Sequence, residues 1–362
     1  MVRGPHDRRD GGMIAVDPAD WGSRRRRRFP PEKWASLICK AVWDETPDVR
    51  TFLLTPEDGS RIEHDAGQFM TLRIATPDGI VERCYTIASS AARDAGIEIT
   101  VKRQAGAASG HLHDSLIPGA RIEAFGPSGR FGPVSWPGAR YALIAAGSGV
   151  TPMLSMLRTA ADRGIVLDAV LVQVSPDHTD MIATQDIALL TRRLPGLAHI
   201  PVTTRTPGAL RPTSDLLTSL IPDLADRTVL CCGPQPFMAM VRAMARDAGV
   251  PQESYGEESF DFSSPEAEIT PTADTPLRNV TFARSGKVFA CAETTMILAA
   301  VKAAGLPLPS SCARGMCGTC KTFKHSGEVT MAHDGGIRQR EIDRGFILPC
   351  VSRPLTDIVL DC

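Results

Sequence analysis

The pattern of apolar and polar positions changes character twice along this 362-residue chain. Between residues 34 and 137, short apolar or alternating runs rich in β-branched residues are separated by turn sequences, among them Pro77-Asp-Gly79. This pattern predicts closely spaced antiparallel strands that form a β-barrel. The predicted strands are Ser36–Val42, Val49–Thr55, Phe69–Ile74, Val81–Ile87 and Ile97–Lys102. A short helix is expected over His111–Leu116, and the glycines and proline of segment 126–131 predict a turn.

From residue 138 to residue 262, apolar runs alternate with segments of helical periodicity. Four successive strand-helix units predict an α/β domain with a doubly wound parallel sheet. The predicted strands are Tyr141–Ala146, Leu167–Val174, Ala198–Thr203 and Thr228–Cys232. The helices expected to follow them are Met153–Arg163, Met181–Arg193, Ser214–Leu220 and Pro236–Ala248.

The remaining segments differ from both patterns. Residues 1–33 contain the run Arg24 to Arg28 and predict a disordered basic tail, with a docking arm for an acidic partner as the alternative. Residues 263–276 are rich in Pro, Glu, Thr and Ser, which is typical of a linker. Residues 277–362 are long enough to form a separate C-terminal domain.

Composition narrows the function classes. The formal net charge is −1, which gives no basic surplus for binding nucleic acid. No stretch approaches the roughly 20 apolar residues of a membrane span. Six of the ten cysteines show no disulfide framework, so a reducing, cytoplasmic location is expected. These six are Cys39, Cys84, Cys231, Cys232, Cys291 and Cys362.

The other four cysteines carry the strongest chemical signal. Cys312, Cys317 and Cys320 have the spacing C-x4-C-x2-C, and Cys350 follows 29 intervening residues later. This spacing is typical of a plant-type [2Fe–2S] cluster, in which four thiolates bind two bridged irons. A structural zinc site is the alternative, but zinc sites usually pair two short C-x2-4-C units. Three cysteines in one loop favour the cluster.

A strand in the first region has side chains suited to a flavin. Arg83 can bind a pyrophosphate oxygen, Tyr85 can pack against the isoalloxazine ring, and Thr86 can offer its hydroxyl to N5. The alternative is an amphipathic strand with a surface Arg and a core Tyr. Gly106 precedes Ser109, a candidate N-cap of the following helix, so the flavin pyrophosphate could lie there. An ordinary capped loop is the other interpretation.

The second region has the expected phosphate-binding turn. Segment 147–152 reads Gly-Ser-Gly-Val-Thr-Pro, follows a predicted strand and opens a predicted helix. Proline stands where a dinucleotide fingerprint has its third glycine, so the motif is incomplete. Cys232 and Gly233 lie at the carboxyl end of a later strand, where a nucleotide site would open. Cys232 could equally be a core cysteine.

Taken in order, these motifs resemble the ferredoxin–NADP reductase superfamily. They are Arg-x-Tyr-Thr-x-x-Ser, Gly-Pro-Ser-Gly-Arg-Phe, Ala-Gly-Ser-Gly-Val-Thr-Pro and Cys-Gly-Pro. With the C-terminal cysteine motif, the chain is similar to the reductases of multicomponent, Rieske-type oxygenases and to the NADH oxidoreductase of hybrid-cluster protein. The resemblance covers residues 34–362. It implies a flavin-binding β-barrel over 34–137, an NAD-binding α/β domain over 138–262 and an α+β plant-type ferredoxin (β-grasp) domain over 277–362.

The resemblance also implies roles for individual residues. Flavin contacts are expected from Arg83, Tyr85, Thr86 and Ser89, and flavin pyrophosphate contacts from Gly106 and Ser109. The nicotinamide dinucleotide is expected at Gly147, Gly149, Thr151 and Pro152, with Cys232 and Gly233 near the nicotinamide. The segment from Glu258 to Phe260 corresponds to the one that covers the flavin. Thr86, Cys232 and Glu258 are the expected catalytic residues; Thr86 replaces the more frequent Ser and keeps its hydroxyl.

The three modules predict one function. Nicotinamide gives up two electrons as hydride, the cluster takes one at a time, and flavin can do both. The predicted route runs from NADH to FAD, to the [2Fe–2S] cluster and to a protein acceptor. That acceptor is expected to be a Rieske-type oxygenase that hydroxylates or demethylates a small substrate, with hybrid-cluster protein as the alternative. Two rival classes stay open: an electron carrier with an inactive reductase shell, and a zinc-stapled nucleotide-binding regulator.

The cofactor identities depend on weaker signals. Asp177 and Asp180 follow the second strand of the α/β region, where carboxylates favour a free ribose 2′-hydroxyl and therefore NADH. His178, Arg192 or Arg193 could instead favour NADPH. FAD is expected in preference to FMN because of the family resemblance around residues 86–90 and Ser109.

Overall fold

The computed structural model describes most of the chain from residue 34 onward. The described residues are 34–94, 96–104, 108–205, 213–260, 275–306, 308, 310, 315, 318, 320–333, 337 and 339–362. The predicted basic tail, most of the predicted linker, Gly106, Cys312 and Cys317 lie outside these residues.

The first domain is a six-stranded antiparallel sheet that closes on itself. Its strands are β1 (Ala35–Thr46), β2 (Val49–Pro56), β3 (Phe69–Thr76), β4 (Gly79–Thr86), β5 (Ile97–Lys102) and β6 (Arg121–Ser128). Neighbouring strands in the sheet follow the order β4-β3-β6-β1-β2-β5. The two outer strands meet where Ile87, just after β4, bridges to Ile99 on β5. This bridge closes the predicted barrel around a core that includes Phe52 and Leu72.

One central strand of the barrel was not predicted. The turn expected over segment 126–131 is wrong for residues 126–128, because β6 continues to Ser128 between β3 and β1. Its residues alternate between exposed and buried positions up to Gly126. The pairing partners of β6 come from strands about 50 and 85 residues away, and such partners override local turn propensity. Helix α1 (Ala108–Ser115) starts three residues earlier than predicted.

The second domain is a five-stranded parallel sheet with helices on both faces, as predicted. Its strands are β7 (Arg140–Ala146), β8 (Asp168–Ser175), β9 (Leu197–Thr203), β10 (Thr228–Cys232) and β11 (Tyr255–Glu258). Its helices are α2 (Val150–Arg163), α3 (Thr184–Arg193), α4 (Ser214–Leu220) and α5 (Gln235–Asp247). The order β11-β10-β7-β8-β9 reverses direction between β7 and β10. Ligands of such sheets bind at the carboxyl ends of the strands beside this reversal.

Two elements of this sheet differ from prediction. The short strand β11 was missed, and it carries Glu258 into the sheet beside Cys232. Helix α3 begins at Thr184 and not at Met181, because Ala183 has a left-handed backbone with φ of 57°. The amide N of Ala183 donates to a carboxylate oxygen of Glu45 on β1, 3.2 Å away. A contact from the barrel therefore stabilises the residue at which this helix starts.

The C-terminal domain has the predicted α+β architecture. A mixed sheet has the order β13-β12-β18-β14-β16, and β15 pairs with β17 beside it. The strands are β12 (Leu277–Phe282), β13 (Val288–Ala292), β14 (Thr322–Ser326), β15 (Val329–Met331), β16 (Phe346–Ile347), β17 (Ser352–Pro354) and β18 (Ile358–Leu360). Helix α6 (Ile297–Ala303) packs its buried face on this sheet, and α7 (Gln339–Ile342) precedes β16.

Within the part of the chain that the structure describes, no helix combines the length and apolar character needed to cross a membrane.

Candidate functional site

A cleft between the barrel and the parallel sheet brings together six of the predicted site residues. They are Arg83, Tyr85 and Thr86 of β4, Ser109 of α1, Thr151 of α2, and Phe260. The other residues that line the cleft were not predicted: Cys84, Thr100, Val101, Lys102, Gln104, Ala108 and Ser148. Alternation along β5 places Ile97, Ile99 and Val101 in the barrel core and Thr100 on the opposite face, and no signal in the sequence indicates that β5 lies beside β4.

The burial and hydrogen bonding of Thr86 indicate whether the cleft fits a flavin. It is the last residue of β4 and only 4% exposed. Its hydroxyl oxygen is buried and has no hydrogen-bond partner among the described residues. Buried hydroxyls in proteins nearly always have a partner, so this one fits a polar atom supplied by a bound ligand. A hydroxyl offered to flavin N5 meets that requirement.

The neighbouring β4 side chains have different surroundings. Burial raises the pKa of the Tyr85 phenol well above its usual value, although the charge of Arg83 opposes that shift. Tyr85 therefore stays neutral and presents an apolar ring with a polar tip. The Arg83 guanidinium donates from Nη1 to the carbonyl oxygen of Glu82, 2.8 Å away, at the wall of the cleft.

Two of the predicted flavin-binding residues, Ser109 and Ser89, accept hydrogen bonds from backbone amides of the protein itself. Ser109 is the second residue of α1 and not its N-cap. Its Oγ accepts from the amide N of Gln104 at 3.1 Å. Ser89 is 3% exposed and does not line the cleft, and its Oγ accepts from the amide N of Glu98 at 3.0 Å. Ser89 thus fastens the segment after β4 to β5.

The turn between β7 and α2 has the geometry of a phosphate-binding loop. Gly147 has a positive φ of 56°, and residues 147–149 form a short 3-10 turn before α2. A Cβ on Gly149 would lie 2.2 Å from the carbonyl oxygen of Cys232. Glycine is therefore required there, because α2 starts against the end of β10. Pro152 lies in the first turn of α2, where a missing N–H costs no intrahelical bond.

The ends of β10 and β11 place two of the predicted catalytic residues, Cys232 and Glu258, side by side. Cys232 and Glu258 are register partners on these parallel strands and are 0% and 2% exposed. Burial, and secondarily the Glu258 carboxylate, raises the pKa of the Cys232 thiol well above its usual value. Cys232 is therefore a neutral thiol. Phe260 follows β11. It packs against the hydrophobic core between α2 and the parallel sheet, and it also lines the cleft.

Two of the four predicted cluster ligands lie within the described residues. The Sγ atoms of Cys320 and Cys350 are 3.2 Å apart, and both residues are buried. This separation is close enough for both thiolates to bind one iron. Gly315 has φ of 71°, and a Cβ there would lie 2.8 Å from Cγ2 of Val351. Glycine thus lets the cysteine loop pack against the turn that holds Cys350.

A contact between the barrel and the C-terminal domain connects these sites. Cys84 lies between Arg83 and Tyr85 on β4, and its thiol donates to the carbonyl oxygen of Ser310 at 3.6 Å. Ser310 precedes Cys312 by two residues. The strand that lines the flavin cleft therefore touches the segment that leads into the cysteine loop. The sequence gives Cys84 no role, because it is one of the six cysteines outside the cluster motif.

Comparisons with known proteins agree with this arrangement. An oxidoreductase FAD-binding domain model matches residues 39–132, and an oxidoreductase NAD-binding domain model matches residues 143–243. A 2Fe-2S iron-sulfur cluster binding domain model matches residues 280–355. The chain therefore contains modules for FAD, NAD and a [2Fe–2S] cluster, as predicted.

Similar proteins align with this chain over most of its length. The stachydrine N-demethylase reductase subunit of Rhizobium meliloti is 36% identical, over 90% of this chain and 96% of that protein. A glycine betaine monooxygenase reductase subunit of Pseudomonas aeruginosa is 32% identical, over 91% of this chain and 97% of that protein. The solved structure of phthalate dioxygenase reductase is 26% identical with a TM-score of 0.58, covering 91% of this chain and 98% of its own.

The match in sequence, module order and fold extends over nearly the whole described chain. It also agrees with the cleft, whose walls come from the flavin-type strand, the dinucleotide turn and the aromatic residue after β11. The chain therefore belongs to the ferredoxin–NADP reductase superfamily, within the family of flavin and [2Fe–2S] oxidoreductases that includes the reductase components of oxygenases.

Proposed function

We propose that this protein carries electrons from NADH through FAD and a [2Fe–2S] cluster to a partner oxygenase. The observation that carries the proposal is the position of β4. One face of this strand lines the cleft with Thr86, and the Cys84 thiol contacts Ser310 ahead of the cysteine loop. When bound, FAD supplies the step that accepts a hydride and releases single electrons.

The residues of the cleft have separate proposed tasks. Thr86 holds flavin N5 by a hydrogen bond, Tyr85 packs against the ring, and Phe260 covers it from the side of the parallel sheet. Arg83, Ser109 and Gly106 are proposed to hold the flavin phosphates. The neutral thiol of Cys232 and the buried carboxylate of Glu258 exclude water from the nicotinamide position. Hydride transfer depends on alignment, so these side chains act mainly by fixing distances.

The dinucleotide is proposed to bind across the carboxyl ends of β8, β7 and β10. Segment 147–152 and Gly233 receive its phosphates and nicotinamide. The Asp177 carboxylate lies after β8 and accepts from the amide N of His178 at 2.6 Å. Arg193, one basis for the NADPH alternative, donates to Asp162 at 2.8 Å. A carboxylate after β8 and an engaged arginine support NADH over NADPH.

The four cysteines Cys312, Cys317, Cys320 and Cys350 are proposed to bind the cluster. Domain limits of 34–137, 138–262 and 277–362 are proposed as well, supported by the change from antiparallel to parallel pairing between β6 and β7. We also propose a cytoplasmic location, because Cys39, Cys231 and Cys291 are buried free thiols.

The partner is proposed to be a Rieske-type oxygenase that hydroxylates or demethylates a small substrate. The relatives named above serve a stachydrine N-demethylase and a glycine betaine monooxygenase, according to their names. Both names support a small quaternary-ammonium substrate for the partner. The test supplies this reductase and NADH to a purified glycine betaine monooxygenase oxygenase subunit and measures formaldehyde release. If hybrid-cluster protein is reduced and the oxygenase is not, the alternative acceptor is correct.

The electron route is tested with two cysteine variants in the C-terminal domain. Cys320→Ser should lose the visible absorbance of the cluster and cytochrome c reduction, yet keep NADH-ferricyanide activity, which needs only the flavin. Cys291→Ser is the matched control, because Cys291 is equally buried but its thiol donates to the carbonyl of Thr295 at 3.5 Å. It should keep all three properties. Zinc in place of iron in anaerobically prepared protein would contradict the cluster assignment.

A further inference from the structure

Helix α2 links the two halves of the cleft. It begins at the dinucleotide turn, and its middle packs against the segment that follows the flavin strand β4. Ser155 Oγ donates to the carbonyl oxygen of Ser89 at 3.0 Å. Thr159 Oγ1 accepts from the amide N of Ala91 at 2.9 Å. The helix that carries one binding motif is therefore fastened to the backbone that carries the other.

Arg158 is the charged residue at the centre of this junction. It is 8% exposed. Its Nη1 donates to the carbonyl oxygen of Ala88 at 2.8 Å and to the Glu98 carboxylate on β5 at 2.9 Å. Its Nε donates to the Asp186 carboxylate on α3 at 2.6 Å. One guanidinium thus joins two elements of the barrel to two helices of the parallel-sheet domain.

The geometry of a guanidinium suits this position. Its N–H donors point in fixed directions within one plane, so its partners keep fixed relative positions. A lysine ammonium retains the charge but cannot impose the same directions. Ala88, one partner of the guanidinium, lies two residues after Thr86 along the chain, and Arg158 itself lies seven residues after Thr151 along α2. A small shift there changes the separation of the two binding motifs.

We propose that Arg158 is a positioning residue for hydride transfer, fixing α2 against residues 88–91 so that the dinucleotide and flavin sites keep one separation. This inference rests on the proposed NADH-to-flavin route. Misplacement of reacting groups by about 1 Å can cost on the order of 100-fold in rate. Nothing in the sequence singles out Arg158, because its three partners are 28 to 70 residues away.

The chain offers a matched control in Arg227. It is 7% exposed and also bonds two carboxylates and one backbone carbonyl. These partners are Asp168, Asp223 and Tyr141, all within the parallel-sheet domain. Arg158→Met and Arg227→Met therefore remove comparable buried networks, but only the first removes a connection between domains. Arg158→Lys is the conservative variant, and it serves as the test protein if Arg158→Met does not fold.

The experiment measures three properties of each full-length holoprotein: flavin content, the limiting rate of flavin reduction by NADH in stopped flow, and deuterium uptake of residues 86–93 before NADH is added. In Arg158→Met the limiting rate should fall at least tenfold with flavin content retained, and uptake should rise. Arg158→Lys should recover part of the rate. Arg227→Met should lower the melting temperature while rate and uptake stay near wild type.

Several results would overturn the inference. One is a wild-type rate and uptake in Arg158→Met, or in Arg158→Lys if that is the protein that folds. Another is an equal loss of rate in Arg227→Met, since that would reflect general destabilisation. A wild-type protein whose flavin NADH does not reduce would instead contradict the proposed function, and this inference with it.

Discussion

Replacing Gly149 with alanine tests the contact between the dinucleotide turn and the nicotinamide end of the site. The added Cβ would lie 2.2 Å from the carbonyl oxygen of Cys232 and 2.9 Å from the amide N of Gly233. Both neighbours are backbone atoms, which cannot rotate away as a side chain can. Gly149 has φ of −62°, so alanine suffers no conformational penalty there and the effect is purely steric.

The size of the effect follows from the overlap. Restoring an ordinary contact requires the start of α2 and the end of β10 to separate by about 1 Å, and overpacking of this kind costs about 1–3 kcal/mol. The same displacement would change the distance between the residues proposed to hold the dinucleotide phosphates and those proposed to lie near the nicotinamide. We therefore expect the limiting rate of flavin reduction by NADH to fall on the order of 100-fold.

The assay compares Gly149→Ala with a second glycine variant in the same helix. Gly164 ends α2 with φ of 66°, and no atom lies within 4 Å of its added Cβ. Gly164→Ala should cost about 1–2 kcal/mol of stability from left-handed strain and leave NADH kinetics unchanged. Stopped-flow flavin reduction, NADH titration and thermal unfolding are measured on both. A wild-type reduction rate in Gly149→Ala, or equal kinetic losses in the two variants, would refute the steric reasoning.

Three further predictions concern the first domain. Arg83→Ala should lose about 1.5–3 kcal/mol of flavin affinity while cluster absorbance is retained; unchanged flavin content would show that another residue holds the phosphates. Thr86→Val should remove one hydrogen bond of about 0.5–1.5 kcal/mol and slow flavin reduction up to about tenfold, whereas Thr86→Ser should not, and equal rates would contradict the role of the hydroxyl. Burial lowers the pKa of His64 from 6.5 to about 4, so the folded state keeps this ring neutral and loses stability as the pH falls from 6.5 towards 4. The loss should reach about 2 kcal/mol between pH 7.5 and 5 and be absent in His64→Gln, measured by urea unfolding; the same pH dependence in both proteins would exclude His64 as its source.

The sequence by itself determined the order and type of the three modules. Five barrel strands and four strand-helix units could be predicted because burial of alternate or helically spaced residues leaves a local periodic pattern. The cysteine spacing indicated a [2Fe–2S] domain because cluster ligands from one loop have a fixed separation along the chain. The motif at 147–152 was visible for the same reason, since a phosphate-binding turn is built from consecutive residues.

Only the tertiary structure decided which of these segments meet. It placed β6 at the centre of the barrel and β11 beside β10, although neither short segment was predicted as a strand. It put Ser89 outside the cleft and brought Thr100 into it. It also gave Arg158 partners on three other elements and set Cys84 against Ser310, 226 residues away. Such contacts depend on the packing of distant segments, and a periodic pattern within one segment carries no information about its partners.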